Sequence, residues 1–293
     1  MLKQIPAGVL KVGYDDHGPS AGPAVILLHG FPYDVHAYDD VSPILSSNGC
    51  RVIVPYLRGY GPTRFLYPET PRSGQQAVLA HDLIALMDAL DIPKAVLAGY
   101  DWGGRAACIT AALWPDRTKG LLSVGGYNIQ DISRSVKPQL PENEYRYWYQ
   151  YYFHSDRGKA GLTEHRRRFC KQLWKLWSPT WKFTDADFEK TAPSFDNPDF
   201  VEVVIHSYRH RYGLVAGDPS AEETEERLKE KPRITVPTIS MEGQDDGLTF
   251  IGEHPDERPL FTGAYEHRKI AGAGHNLPQE TPQAFADALL SLL

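Results

Sequence analysis

The pentapeptide Gly99-Tyr100-Asp101-Trp102-Gly103 constrains this chain more than any other stretch. It follows the apolar run Ala95-Val96-Leu97-Ala98 and leads into Gly104-Arg105-Ala106-Ala107-Cys108-Ile109. Glycines two residues either side of a central residue mark a strand-to-helix turn too tight for side-chain bulk. Such a turn pushes the central side chain out at the carboxyl edge of a sheet. That residue is Asp101 rather than a serine. A carboxylate nucleophile gives an alkyl ester on the enzyme, where a hydroxyl would give an acyl ester. As an alternative, Asp101 is a solvated turn residue, but that leaves both glycines and the adjoining Trp102 without a reason.

The neighbouring sequence supports a parallel sheet. Val25-Ile26-Leu27-Leu28, Arg51-Val52-Ile53-Val54, Ala95 to Ala98 and Leu121-Leu122-Ser123-Val124 are short aliphatic runs ending in turn signals, as expected of strands buried on both faces. Between the second and third, Val78, Leu79, Leu83, Leu86, Met87 and Leu90 share one helical face, with Ser73 as the expected N-cap. The strand rhythm stops near Ile129 and resumes at Val236-Pro237-Thr238-Ile239-Ser240-Met241, then at His267-Arg268-Lys269-Ile270. Pro282 to Leu293 closes the chain as a helix. The intervening stretch carries Trp148, Trp174, Trp177 and Trp181, four of the six tryptophans, with a dense set of tyrosines. This divides the chain into core (1–130), helical cap (131–232) and core again (233–293). Ala221 to Lys231 is expected to be a charged, solvated helix or linker.

With 293 residues and 42% hydrophobic content the chain can bury one large core. Its net charge of −6 comes without a basic stripe, which argues against nucleic acid and anionic membrane as partners. No run of 18 apolar residues occurs and the N-terminus lacks a signal-like apolar segment, so a cytoplasmic protein is expected. Cys50, Cys108 and Cys170 show no metal-binding or disulfide spacing and are expected as buried free thiols.

Three further motifs follow strands. His29-Gly30-Phe31-Pro32 follows the first run, where the backbone N–H of Phe31 can join that of Trp102 as an oxyanion hole. Gly243-Gln244-Asp245-Asp246 and Gly272-Ala273-Gly274-His275 follow the last two runs. The order is nucleophile, acid, histidine. Either Asp245 or Asp246 can serve as the acid, and the G-x-x-D spacing favours Asp246.

With these residues in place, the chain from Val25 to the C-terminus resembles the α/β-hydrolase superfamily, within it the epoxide hydrolase and haloalkane dehalogenase branch that uses an aspartate nucleophile. The family's HGxP motif falls on His29 to Pro32, its nucleophile turn on Gly99 to Gly103, its acid on Asp246 and its terminal histidine on His275. Tyr56 departs from the pattern, since many members carry Asp before Leu-Arg-Gly-Tyr-Gly. The resemblance implies an α/β fold, a mostly parallel sheet flanked by helices with a helical cap after the sixth strand, and no cofactor or metal.

The cap separates the subfamilies. Tyr145, Trp148, Tyr149 and Tyr152 are spaced as one helical face, which is most simply a packing stripe. The segment around Tyr149 resembles the first cap tyrosine of epoxide hydrolases and Ser207-Tyr208-Arg209 the second, with Tyr212 competing for the latter role. Two phenols can protonate the oxygen of an opening epoxide. Trp102, Trp148 and Tyr152 are the expected substrate contacts, and Arg105 is read as a helix-end ion-pair residue. The expected substrate is small and apolar or aromatic; a homodimer remains open. A dehalogenase would use the same Asp101, His275 and Asp246 but expects a halide donor where Phe31 stands, or a second arginine where Trp102 stands. A non-catalytic receptor on the same fold would keep the pocket without turnover.

Overall fold

The computed structural model describes residues 2–135, 137–252 and 256–293, with the side chain of residue 134 left aside. The aliphatic runs become β3 (Ala24–Leu28), β4 (Arg51–Pro55), β6 (Ala95–Gly99), β7 (Thr118–Val124), β8 (Thr238–Gly243) and β9 (Tyr265–Ile270). They pair in parallel in the order β4-β3-β6-β7-β8-β9. An antiparallel hairpin, β1 (Leu2–Ala7) and β2 (Leu10–His17), extends the sheet beyond β4, and a two-residue strand, β5 (Arg64–Phe65), pairs with β2. Alternation along this hairpin, with Leu10 and Val12 buried around exposed Lys11, is the pattern of a strand with one covered face. A search for continuous apolar runs therefore passes over it.

The strand order reverses beside β3, and the register Leu28↔Gly99 brings the carboxyl ends of β3 and β6 level. Loops leaving these ends meet in the crevice where open α/β sheets hold ligands. Helices α1 (Val41–Ser47), α2 (Gln76–Ala89) and α3 (Asp101–Leu113) cover the sheet together with α10 (Leu277–Glu280) and α11 (Pro282–Leu290), α2 packing on α3 and α1 on α11. All three cysteines are buried and free.

Six helices lie between β7 and β8: α4 (Pro141–Arg146), α5 (Trp148–His154), α6 (Asp156–Trp177), α7 (Asp185–Thr191), α8 (Phe200–His210) and α9 (Glu222–Lys229). Counting the two-residue β5, this insert follows the seventh strand; among the long strands it follows the sixth. Local signals start two of these helices. Ser155 accepts from the Gly158 N–H at the head of α6, and Thr184 with Asp187 forms a capping box on α7.

One expectation for the chain changes. Ser73 does not cap α2, which begins at Gln76 behind Gln75; the Ser73 hydroxyl accepts from the Gln75 N–H instead. The Ala77 N–H in the first turn of α2 donates to Glu225 Oε1 of α9 at 3.1 Å. The stretch 221–231 thus forms a helix that is solvated on one face, as expected, while Thr224, Glu225 and Leu228 turn inward on the other. A carboxylate at a helix N-terminus satisfies an orphan N–H and meets the positive end of the dipole.

The insert is pinned to the core elsewhere too. Asp34 is buried after β3, and its carboxylate accepts from the hydroxyls of Thr191 and Ser194 in the insert at 2.8 and 2.5 Å. Trp174 Nε1 of α6 donates to the Pro32 carbonyl at 2.8 Å.

Candidate active site

Asp101 opens α3 with φ of +49°, a left-handed conformation that costs a non-glycine residue about 1–3 kcal/mol. Its surroundings enforce it. A Cβ at Gly99 would overlap the Gly103 carbonyl, one at Gly103 would overlap the Leu28 carbonyl, and one at Gly30 would overlap Asp101 itself. The turn is therefore buried between two strand ends with no room for a side chain except the one it presents. The Phe31 N–H donates to Asp101 Oδ1 at 2.8 Å. Oδ2 takes no hydrogen bond from the described residues. Of the two predicted oxyanion donors, only Phe31 touches the Asp101 carboxylate in this arrangement. Trp102 is fully buried, stacked on Phe31 at 5.8 Å between centroids, and its indole N–H has no partner.

His275 Nδ1 lies 2.9 Å from Asp246 Oδ2, and Asp246 Oδ1 accepts from the Leu248 N–H at 2.7 Å. Asp246, rather than Asp245, is the carboxylate that meets the imidazole. A carboxylate accepts only, so Nδ1 carries the hydrogen and Nε2 keeps its lone pair, buried and without a partner. The loop is fixed from behind: the His275 N–H donates to Ser178 Oγ at 3.0 Å, Ser178 donates to Glu280 Oε1 at 2.6 Å, and Glu280 Oε2 accepts from the Gly274 N–H at 2.8 Å. Burial disfavours the imidazolium, yet the Asp246 carboxylate outweighs that by charge and hydrogen bond, aided by Asp101 and Glu280, so the His275 pKa stands above its ordinary value.

Tyr149 of α5 and Tyr208 of α8 face each other with ring centroids 5.3 Å apart, and Phe31 lies 6.5 and 5.4 Å from them. Tyr149 accepts from Gln150 Nε2 at 2.9 Å, whereas the Tyr208 hydroxyl has no hydrogen-bond partner among the described residues. Burial pushes both phenols well above their usual range, with Asp101 adding to the shift in each case, so both keep their protons. Tyr212 instead packs on Tyr151 and His154 and donates to Gln150 Oε1, away from Asp101. The geometry thus favours Tyr208 over Tyr212.

Asp101, Tyr149, Asp246 and His275 line one cavity of about 640 Å³, within the range for small-molecule sites. None of Trp102, Trp148 and Tyr152, the expected substrate contacts, lines this cavity, and Tyr208 does not line it either. The proposed aromatic stripe is broken at Tyr147, where α4 ends and α5 begins, so Tyr145 points to solvent while Trp148 and Tyr152 pack on Phe169. Tyr147 lines the cavity in their place, and Trp177 stands 5.1 Å from the His275 ring. Neither was singled out in the sequence, because an aromatic in a helical insert carries no mark of which flank turns inward. Among the described residues Arg105 forms no ion pair; with Arg211 and Gln150 it also lines the cavity. Among the described residues no group of three His, Cys, Asp or Glu side chains is placed to hold a metal ion, and no helix is long and apolar enough to cross a membrane.

Residues 23–281 match the model of the alpha/beta hydrolase fold. The chain belongs to the α/β-hydrolase fold family. A crystal structure from Klebsiella pneumoniae subsp. pneumoniae, provisionally designated an epoxide hydrolase, superposes with a TM-score of 0.97 at 50% identity, covering 99% of this chain and 96% of that one. Epoxide hydrolase B of Mycobacterium tuberculosis is 30% identical over 93% of this hydrolase-fold chain and 91% of its own length. Epoxide hydrolase 3 of Siraitia grosvenorii is 39% identical over a shorter stretch, 41% of this chain and 36% of that protein. The chain therefore spans about a third of that relative's length in the matched region.

Proposed function

We propose that this protein hydrolyses an epoxide to a vicinal diol through an alkyl ester on Asp101, with residues 131–232 as a cap over the core formed by 1–130 and 233–293. The observation that carries this reading is the pair of buried, protonated phenols of Tyr149 and Tyr208 in the site of a carboxylate that replaces the usual hydroxyl. Asp101 Oδ2, the oxygen without a hydrogen bond, attacks the less hindered epoxide carbon. The carbon–oxygen bond breaks, and the departing oxygen takes a proton from a phenol. His275 Nε2 then takes a proton from water as its oxygen adds to the Asp101 carboxyl carbon. The resulting oxyanion forms on Oδ1, where the Phe31 N–H already points, with the Trp102 N–H as second donor. Collapse releases the diol and restores the carboxylate, and the proton held by His275 returns to the phenolate. Asp246 holds the imidazole in its working tautomer throughout.

A single turnover in ¹⁸O-water with enzyme in excess tests this. The diol should carry unlabelled oxygen from Asp101, and the Asp101 peptide should gain the label. Fully labelled diol with Asp101 unexchanged would falsify the route.

One observation favours a second reading. The unpartnered indole N–H of Trp102 is a donor that a leaving halide could use. Phe31 supplies no side-chain donor to join it, and a haloalkane would have no use for the two phenols. Halide release from haloalkanes, measured beside diol formation, separates the two chemistries.

A further inference from the structure

Two guanidinium groups stand in the same cavity with no carboxylate among the described residues within ion-pair reach of either. Arg105 lies on α3 one turn beyond Asp101, and Arg211 directly follows the last residue of α8. Both line the Asp101 cavity, and both also line the narrow cleft that continues from it past Gln130 and Gln76. Arg105 Nη1 makes one long bond to the Asn128 carbonyl at 3.3 Å, while its Nε is enclosed without a partner. Arg211 is 8% exposed, donates to Ser207 Oγ at 3.2 Å and lies over the Tyr208 ring at 4.3 Å. Neither is within ion-pair reach of a carboxylate among the described residues.

Enclosing a cation without a counter-charge is costly, and enclosing two that repel each other is costlier still. Burial, with Arg211 second, lowers the Arg105 pKa to about 10, so its guanidinium remains charged at neutral pH. Asp101 is the acidic group whose charge acts most on Arg105. Its Oδ1 is taken by Phe31 and its Oδ2 must stay free for attack, so it cannot close on either arginine. Glu225, on the far side, is committed to the Ala77 N–H and to Gln75 and Gln76. Among the described residues the two guanidinium groups are therefore left without an ion-pair partner, with the enclosed Arg105 Nε unfilled.

We propose that the substrate is an epoxide bearing a carboxylate, gripped by Arg105 and Arg211 while the aromatic wall of Tyr147 and Tyr149 receives its apolar body. This rests on the epoxide-hydrolase reading above and revises the expectation of a wholly apolar substrate. Planar guanidinium forks suit a carboxylate, and their many unfilled N–H positions are what an arriving anion would satisfy. Neutralising the substrate's charge also lets it approach the Asp101 carboxylate without repulsion.

Cinnamate and cinnamamide, unreactive and nearly identical in shape, are the probes, with binding measured by calorimetry. Wild type should bind cinnamate at least tenfold more tightly than cinnamamide. Arg105→Gln and Arg211→Gln should each lower that ratio at least fivefold, and Arg211→Lys should retain part of it. A wild-type ratio near one, or a ratio that survives loss of both arginines, overturns the proposal and leaves the arginines as partners of the phenols alone. If the glutamine variants fail to fold, the wild-type ratio and its decline with added salt decide the matter. Turnover of 3-phenylglycidate and its amide separates the two levels of inference. Cinnamate preference with neither epoxide opened keeps the anion site and removes the epoxide reading; opening of both at equal kcat/KM does the reverse.

Discussion

The backbone N–H of His275 donates to Ser178 Oγ at 3.0 Å, so the proposed base hangs from a residue at the end of a cap helix. Ser178→Ala strips a partner from His275 and another from Glu280. The expected cost is about 1–2 kcal/mol in stability and roughly a tenfold slower ester hydrolysis. Formation of the ester should keep its rate. Rapid-quench kinetics that show both steps unchanged would dismiss the anchoring role.

His275→Gln should open an epoxide once and then stall, because Asp101 still attacks but no base activates water. Intact mass should show one added substrate mass on the Asp101 peptide, and steady-state kcat should fall at least about 100-fold. Asp101→Asn should give no adduct. An adduct on another residue, or near-normal turnover by the glutamine variant, would remove both assignments.

The hydrolysis step should accelerate with rising pH. The base must be neutral to act, and Asp246, outweighing burial, holds the His275 pKa above its ordinary value of 6.5, so the midpoint of the single-turnover profile should lie above 6.5. Asp101 contributes to holding that proton. Forming the ester removes the Asp101 charge and so releases His275 toward its neutral, active form. NMR titration of the imidazole in Asp101→Asn should accordingly show a lower pKa than in wild type; an unchanged value would contradict the coupling.

Tyr149→Phe and Tyr208→Phe should each slow ester formation by about 10- to 100-fold, and together by more than either alone. The two losses should not simply multiply, since either phenol can supply the proton. Stopped-flow tryptophan fluorescence can follow the step, with Trp102 and Trp177 beside the site. A double variant that still opens epoxide at the wild-type rate would assign the acid elsewhere.

Much of the site was legible in the sequence because its chemistry sits at strand ends, where glycines announce tight turns. Asp101, His275 and the Phe31 donor were all marked in that way. The choice between Asp245 and Asp246 was not, since adjacent residues differ only in how the loop turns, and the bond from the Asp245 N–H to the Ala273 carbonyl sets that turn. The break at Tyr147 takes Tyr145 out of the stripe, while Trp148 and Tyr152 share α5 with Tyr149 but turn to Phe169, a choice of flank that spacing along the helix does not reveal. Arg105 was read as a helix-end ion-pair residue because a sequence shows spacing along α3 but not the cavity it faces. The missing cap at Ser73 has the same origin, as the carboxylate that serves α2 lies 148 residues away in sequence.

That last contact and the Asp34 cluster bear on modularity. Excising residues 131–232 would leave Asp34 without the hydroxyls of Thr191 and Ser194 and the first turn of α2 without Glu225. The core would then expose a carboxylate held only by the His36 N–H and a frayed helix start beside its own ligand crevice. The proposed cap and core thus complete each other at these two points, and chimeras that exchange caps between relatives should fold only when the Asp34 and Glu225 partners travel with them.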